Sequence, residues 1–97
     1  MAGRLEGKVA AITGAASGFG AGTTRRFIEE GGKVVMGDIQ DDAGQALADE
    51  LGDAAVYVHC DVTVEDEVAN MVDTAVSHFG QLDIMYNNAG VVGAVGP

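Results

Sequence analysis

Hydrophobic positions in this chain fall into short, nearly unbroken runs that alternate with amphipathic stretches. The runs are Lys8–Thr13, Lys33–Gly37, Ala54–Cys60 and Leu82–Tyr86. Few polar residues interrupt them, as expected of parallel strands covered on both faces. The stretches between them predict three helices: from about Phe19 to Glu30, from Asp41 to Leu51, and from Thr63 to the end of a stripe at Phe79. In the second, Ala43, Leu47 and Leu51 recur every fourth residue and form one apolar stripe, which Gly44 weakens. In the third, Val68, Val72, Ala75, Val76 and Phe79 form the stripe. Thr63 with Asp66 reads as a variant capping box, and Glu65, Asp66 and Glu67 place negative charge where the helix dipole favours it. Gly31–Gly32, Gly52–Asp53 and Gly80 punctuate the helix ends.

Strand and helix alternate through short connections, which implies parallel strands joined by right-handed crossovers. The expected fold is α/β, a Rossmann-like doubly wound parallel sheet of strand order 3-2-1-4, truncated after the fourth strand. No linker or repeat divides the chain, so residues 1–97 read as belonging to a single domain.

Composition narrows the function. The net charge is −10, and all five Lys and Arg lie within the first 33 positions. A chain whose remaining length carries only acids does not suit nucleic acid or an anionic membrane surface. No apolar run is long enough to span a bilayer, and Met1–Glu6 has no signal core, so a soluble, cytoplasmic protein is expected. The single cysteine, Cys60, excludes an internal disulfide and a cysteine-based metal cluster, and it reads as a buried, inert thiol. No metal site is expected.

The candidate chemistry sits at the ends of the predicted strands. Thr13-Gly14-Ala15-Ala16-Ser17-Gly18-Phe19-Gly20 follows the first strand and opens the first helix. Glycines there let the backbone turn tightly and touch a ligand, and the helix N-terminus favours phosphate. Asp38 follows the second strand, where a carboxylate can accept from the ribose hydroxyls of adenosine and repel a 2′-phosphate; NAD is therefore preferred to NADP. Asp61 and Val62 follow the third strand, where the carboxylate or the backbone can meet adenine. Asn87-Asn88-Ala89-Gly90 follows the fourth, where amide side chains can bridge strand ends. Taken singly, Asp38 could be a capping residue, Asp61 a loop aspartate and the Asn-Gly segment a simple turn.

Taken together, TGAASGFG, MGDIQ, CDVT and NNAG resemble the motifs of the short-chain dehydrogenase/reductase family, in register from about Leu5 to Gly96. The resemblance implies that Gly14, Ser17, Gly18, Phe19 and Gly20 line the pyrophosphate and its turn. It places Asp38 on the ribose with Ile39 beside the adenine, and Asp61 and Val62 on the adenine. Asn88, Ala89 and Gly90 would frame the inner ribose. It also implies that residues 1–97 are the N-terminal part of a single Rossmann-like dinucleotide-binding domain. The activity implied is that of an NAD-dependent oxidoreductase acting on a small secondary alcohol or ketone, usually as a homodimer or homotetramer. Gly22 and Thr24 depart from the alanines usual in that first helix.

The family's general acid/base is a tyrosine four residues before a lysine. Neither Tyr57 nor Tyr86 has that lysine, so no catalytic residue is assigned in this chain. The expectation is the cofactor-binding portion of an enzyme, cut before its catalytic half, and marginally stable or prone to aggregate alone. The competing readings are a non-catalytic nucleotide-binding or interaction module, an inert truncated fragment, and a methyltransferase, which also places an acid after its second strand.

Overall fold

The computed structural model describes residues 4–88. Ala89 and Gly90 of the fourth motif, and the apolar segment from Val91 to Pro97, lie outside the described residues. The elements are β1 (Val9–Thr13), α1 (Gly18–Glu29), β2 (Lys33–Asp38), α2 (Asp41–Leu51), β3 (Ala55–His59), α3 (Glu65–Thr74) and β4 (Ile84–Asn87). One 3-10 turn, Gly52–Ala54, follows α2, and one π-helical turn, Ala75–Phe79, prolongs α3.

The four strands are parallel, as the alternation implies, and run in the order β3-β2-β1-β4 expected by analogy with doubly wound sheets. Period-two alternation of side chains then divides the core. Ala10, Ile12, Val34 and Met36 point to one face, where Phe27 of α1 and Leu47 and Ala48 of α2 cover them. Val9, Ala11 and Val35 point to the other face, against Met71 of α3 and Ala75 of its π turn. Every residue of β1 is buried, so its near-continuous apolar composition follows from cover on both faces.

Three local expectations change. The buried stripe of α2 is Gly44, Leu47 and Ala48; Leu51 packs against the same core as expected, and Ala43 is exposed. Gly44 is a packing residue: a Cβ there would stand 2.1 Å from Cε1 of Tyr57. The buried residues of α3 and its π turn are Met71 and Ala75, while Val72 and Val76 face outward. Gly37 of β2 makes room for Met71, whose Sδ would lie 2.5 Å from a Cβ added there. Thr63 forms no capping box with Asp66; α3 begins at Glu65, with Val64 as its uncapped N-cap residue. Thr63 instead donates to Asp61, a shorter-range partner that competes for the same hydroxyl.

The start of β4 also has a specific cause. Asp83 Oδ2 accepts the Val9 amide at 2.8 Å, and the Asp83 amide donates to the Val9 carbonyl at 2.8 Å. This pins the chain beside β1 so that regular pairing begins one residue later, with Ala10 opposite Ile84.

Candidate functional site

The carboxyl ends of β1, β2 and β3 and the residue after β4 surround one cavity of about 290 Å³. Gly14, Ser17, Asp38, Ile39, Gln40, Cys60, Asp61, Val62 and Asn88 line it. The fold explains this gathering: in a parallel sheet all four strands end on the same edge, and the order reverses between β2-β1 and β4.

The glycine turn is built in two parts. Gly14 has a φ of 64°, in the left-handed region that glycine enters without strain. Gly20 permits a close approach of α1 to that turn, because a Cβ on it would stand 1.8 Å from the Gly14 carbonyl oxygen. The N-cap residue Ser17 makes no side-chain cap and the first turn of α1 contains no acid. The Ser17 hydroxyl donates instead to the Gly14 carbonyl at 3.1 Å. The first amides of α1 are thus not masked by a side chain, and a Cβ on Gly18 would meet nothing within 4 Å. Uncapped amides, the helix dipole and open space beside Gly18 fit a pyrophosphate.

Asp38 is buried, and its carboxylate is held by backbone amides. Oδ2 accepts from Ala16 at 2.9 Å; Oδ1 accepts from Ile39 at 2.7 Å and Gln40 at 3.0 Å. The acid at the end of β2 therefore also fixes the glycine turn that follows β1. Three of about four carboxylate acceptor positions are filled, which leaves one on Oδ2.

After β3, Asp61 Oδ1 accepts the Thr63 hydroxyl at 2.6 Å and the Thr63 amide at 2.9 Å. The hydroxyl, and then the amide, hold this carboxyl below the usual range. The Asp61 amide donates to Glu67 Oε1 at 2.8 Å. Cys60 is a buried free thiol, and burial pushes its pKa up, in keeping with an inert side chain.

A cluster that the sequence reading did not single out adjoins Asp38. The Tyr57 hydroxyl lies 2.6 Å from both the Asp38 carbonyl and Asp41 Oδ1. His59 Nδ1 lies 2.8 Å from the same Asp41 oxygen. Burial, then the Asp41 carboxylate, raises the Tyr57 phenol. Tyr57, and then His59, lower Asp41. The alternation of β3 puts Tyr57 and His59 on one face, opposite the first turn of α2, and that spacing was the available signal.

The expected site residues thus divide. Gly14, Ser17, Asp38, Ile39, Asp61, Val62 and Asn88 share the cavity. Gly18 and Phe19 do not: Phe19 is 86% exposed, and both line a separate shallow depression with Arg26. Gly20 is packed against the turn rather than open to the cavity. Ala89 and Gly90 lie outside the described residues. The bridge between strand ends expected of the amides after β4 is made by Asn87, whose Oδ1 accepts the Thr13 hydroxyl at 2.7 Å; the sequence did not single out Thr13 as its partner. Thr13 and Asn87 are register partners, so the amide ties the ends of β1 and β4 together. Among the described residues no cluster of His, Cys, Asp and Glu is arranged to hold a metal ion, and no helix is long and apolar enough to cross a membrane.

Comparison with known proteins agrees with this geometry. The family described as short chain dehydrogenase matches residues 8–97, and the chain belongs to that family. Tropinone reductase-like 2 of Erythroxylum coca is 65% identical over 89 residues, covering 92% of this chain and 32% of its own. The (+)-borneol dehydrogenase 1 of Salvia officinalis is 55% identical over 89 residues, covering 92% and 34%. The chain therefore spans about a third of the length of these relatives. A solved 3-ketoacyl-(acyl-carrier-protein) reductase from Brucella melitensis, complexed with NADH, superposes with a TM-score of 0.80 at 48% identity, covering 84% of this chain and 33% of its own. The family is one of oxidoreductases that bind a nicotinamide cofactor.

Proposed function

We propose that this chain is the NAD-binding portion of a dehydrogenase or ketoreductase that transfers hydride to or from a small secondary alcohol or its ketone. The observation that carries the reading is the single cavity that gathers Gly14, Ser17, Asp38, Asp61 and Asn88 from four strand ends. The amides at the start of α1 would receive the pyrophosphate. Asp38 would accept a ribose hydroxyl on the position of Oδ2 left free by Ala16. Among the described residues no Lys or Arg lines the cavity to neutralise a 2′-phosphate beside this buried carboxylate, which supports NAD over NADP. Asp61 Oδ2, free of the Thr63 bonds, and the Val62 backbone would meet the adenine, with Ile39 against its face. Asn88, with Ala89 and Gly90, would frame the inner ribose.

When bound, the dinucleotide supplies the hydride acceptor or donor. This chain's residues bind and orient it. Tyr57 is not assigned proton transfer, because its hydroxyl is engaged between Asp38 and Asp41. The full-length parent would be a cytoplasmic homodimer or homotetramer.

Calorimetric titration with NADH and NADPH tests it. NADH is expected to bind more tightly by about tenfold or more, corresponding to about 1.4 kcal/mol. Binding of neither, or tighter binding of S-adenosylmethionine, would overturn it.

A further inference from the structure

The two loops beside the cavity are joined by side chains that the proposed chemistry leaves unused. His59, the last residue of β3, holds its ring between carboxylates of two helices. Nδ1 lies 2.8 Å from Asp41 Oδ1 at the start of α2. Nε2 lies 3.7 Å from Glu67 Oε1 in the first turn of α3, the range of a charge pair rather than a hydrogen bond. Each carboxylate is tied in turn to one lip of the cavity. Glu67 Oε1 accepts the Asp61 amide, and Asp41 shares the Tyr57 hydroxyl with the Asp38 carbonyl.

We propose that His59 is a positioning residue whose imidazolium clasps Asp41 and Glu67, and so holds the lips 38–40 and 61–62 at the spacing that the adenosine end of a dinucleotide requires. The inference rests on the adenosine reading of the cavity and adds to it a dependence on protonation. A neutral imidazole carries one N–H, and with that proton directed at Asp41 it turns a lone pair toward Glu67. The imidazolium donates to Asp41 and turns a positive N–H toward Glu67, with which it forms a charge pair. The groups that face the ring are Asp41 from α2, Glu67 from α3 and Asp61 from the turn after β3, all acids; Tyr57, on the same strand, reaches Asp41 as a neutral phenol. The Asp41 hydrogen bond leads these influences in raising the imidazole above its ordinary value. The clasp is closed at acid pH and opens as pH rises through that raised value. The ring is 48% exposed, so its replacement leaves the core intact.

The experiment measures the dissociation constant of ADP-ribose by calorimetry at about pH 5.5 and about pH 8.5, either side of the ordinary histidine range. Affinity is expected to weaken about two- to fivefold at the higher pH, the size set by a solvent-exposed charge pair. His59→Gln and Glu67→Gln should flatten that dependence; Glu67→Gln keeps the acceptor for Asp61. His78→Gln, which alters the other histidine, should retain it. In the ligand-free protein, the amide NMR signals of Gln40 and Asp61 should both follow the titration of the His59 ring. An unchanged pH dependence in His59→Gln, or amides that ignore the ring, would overturn the clasp. Failure of ADP-ribose to bind at either pH, with both amides still following the ring, would sink the adenosine reading and leave the clasp standing.

Discussion

The Asp38 carboxylate accepts the Ala16 amide at 2.9 Å, so the acid that ends β2 braces the turn that ends β1. One residue serves two tasks: it shapes the glycine turn and it faces the place proposed for the ribose. Asp38→Ala would strand the amides of Ala16, Ile39 and Gln40 in a half-buried setting. A stability loss of about 2–3 kcal/mol is expected, as for hydrogen bonds to a charged group. The same variant should narrow the difference between NADH and NADPH affinities. Chemical denaturation and parallel titrations check the two effects separately, and an unchanged cofactor ratio would remove Asp38 from the selectivity argument.

Gly18 and Gly20 stand two residues apart and should respond in opposite ways. Gly20→Ala forces a Cβ against the Gly14 carbonyl, a backbone atom that cannot swing aside. A loss of about 3 kcal/mol is expected from overpacking. Gly18→Ala meets open space and gains up to about 1 kcal/mol of helix propensity. It should nevertheless weaken NADH binding, because the added methyl stands in the first turn of α1, beside the amides proposed for the pyrophosphate. Urea melts and NADH titrations of both variants distinguish a packing glycine from a ligand-facing one.

Gly44→Ala should destabilise the protein although alanine is the better helix former. The gain of about 1 kcal/mol in propensity is smaller than the cost of moving the Tyr57 ring, and a net loss of about 1–2 kcal/mol is expected. The displaced hydroxyl would also leave the Asp38 carbonyl, and tyrosine fluorescence alongside the melt would report that movement.

Thr24 is fully buried on α1, and its hydroxyl has no hydrogen-bond partner among the described residues. Its methyl packs; its oxygen is desolvated without return. Thr24→Val keeps the shape and removes the oxygen, and should stabilise by about 1 kcal/mol. A lower melting temperature in this variant would mean that the hydroxyl has a partner in solution.

Asp83 carries a pH dependence whose sign follows from its partners. Gln81, then the Val9 amide, hold its carboxyl below the ordinary value. A depressed folded-state value means a contribution present above the unfolded value, near 3.9, and lost as pH falls through the folded one. Asp83→Asn should therefore be less stable than the parent at neutral pH, with the gap closing as pH falls below the ordinary carboxylate range. Because the partners are uncharged dipoles, added salt should leave the neutral-pH gap largely in place. Denaturation across pH, with and without salt, checks both statements.

That the strands are parallel was legible because short apolar runs alternating with amphipathic stretches leave few ways to bury both faces of a sheet, while their order followed by analogy with dinucleotide-binding doubly wound sheets. Which residues each helix buries was less so. Val72 and Val76 satisfy a helical stripe as well as Met71 does, but Gly37 opens a hole in the sheet that only the long, flexible methionine fills. Thr63 satisfied a capping pattern, yet Asp61, two residues away, captured its hydroxyl first.

By itself the sequence determined the parallel alternation, the glycine turn and the acids at the strand ends, because these depend on local periodicity and on residues that few other backbones tolerate. Only the tertiary structure decided that Asp38 braces the turn through Ala16, that Gly20 packs while Gly18 faces open space, and that Phe19 points away. It alone brought Tyr57, His59, Asp41 and Glu67 together. Those contacts join residues distant in the chain, and no local pattern encodes a distance that arises when separate strands end on one edge of a sheet.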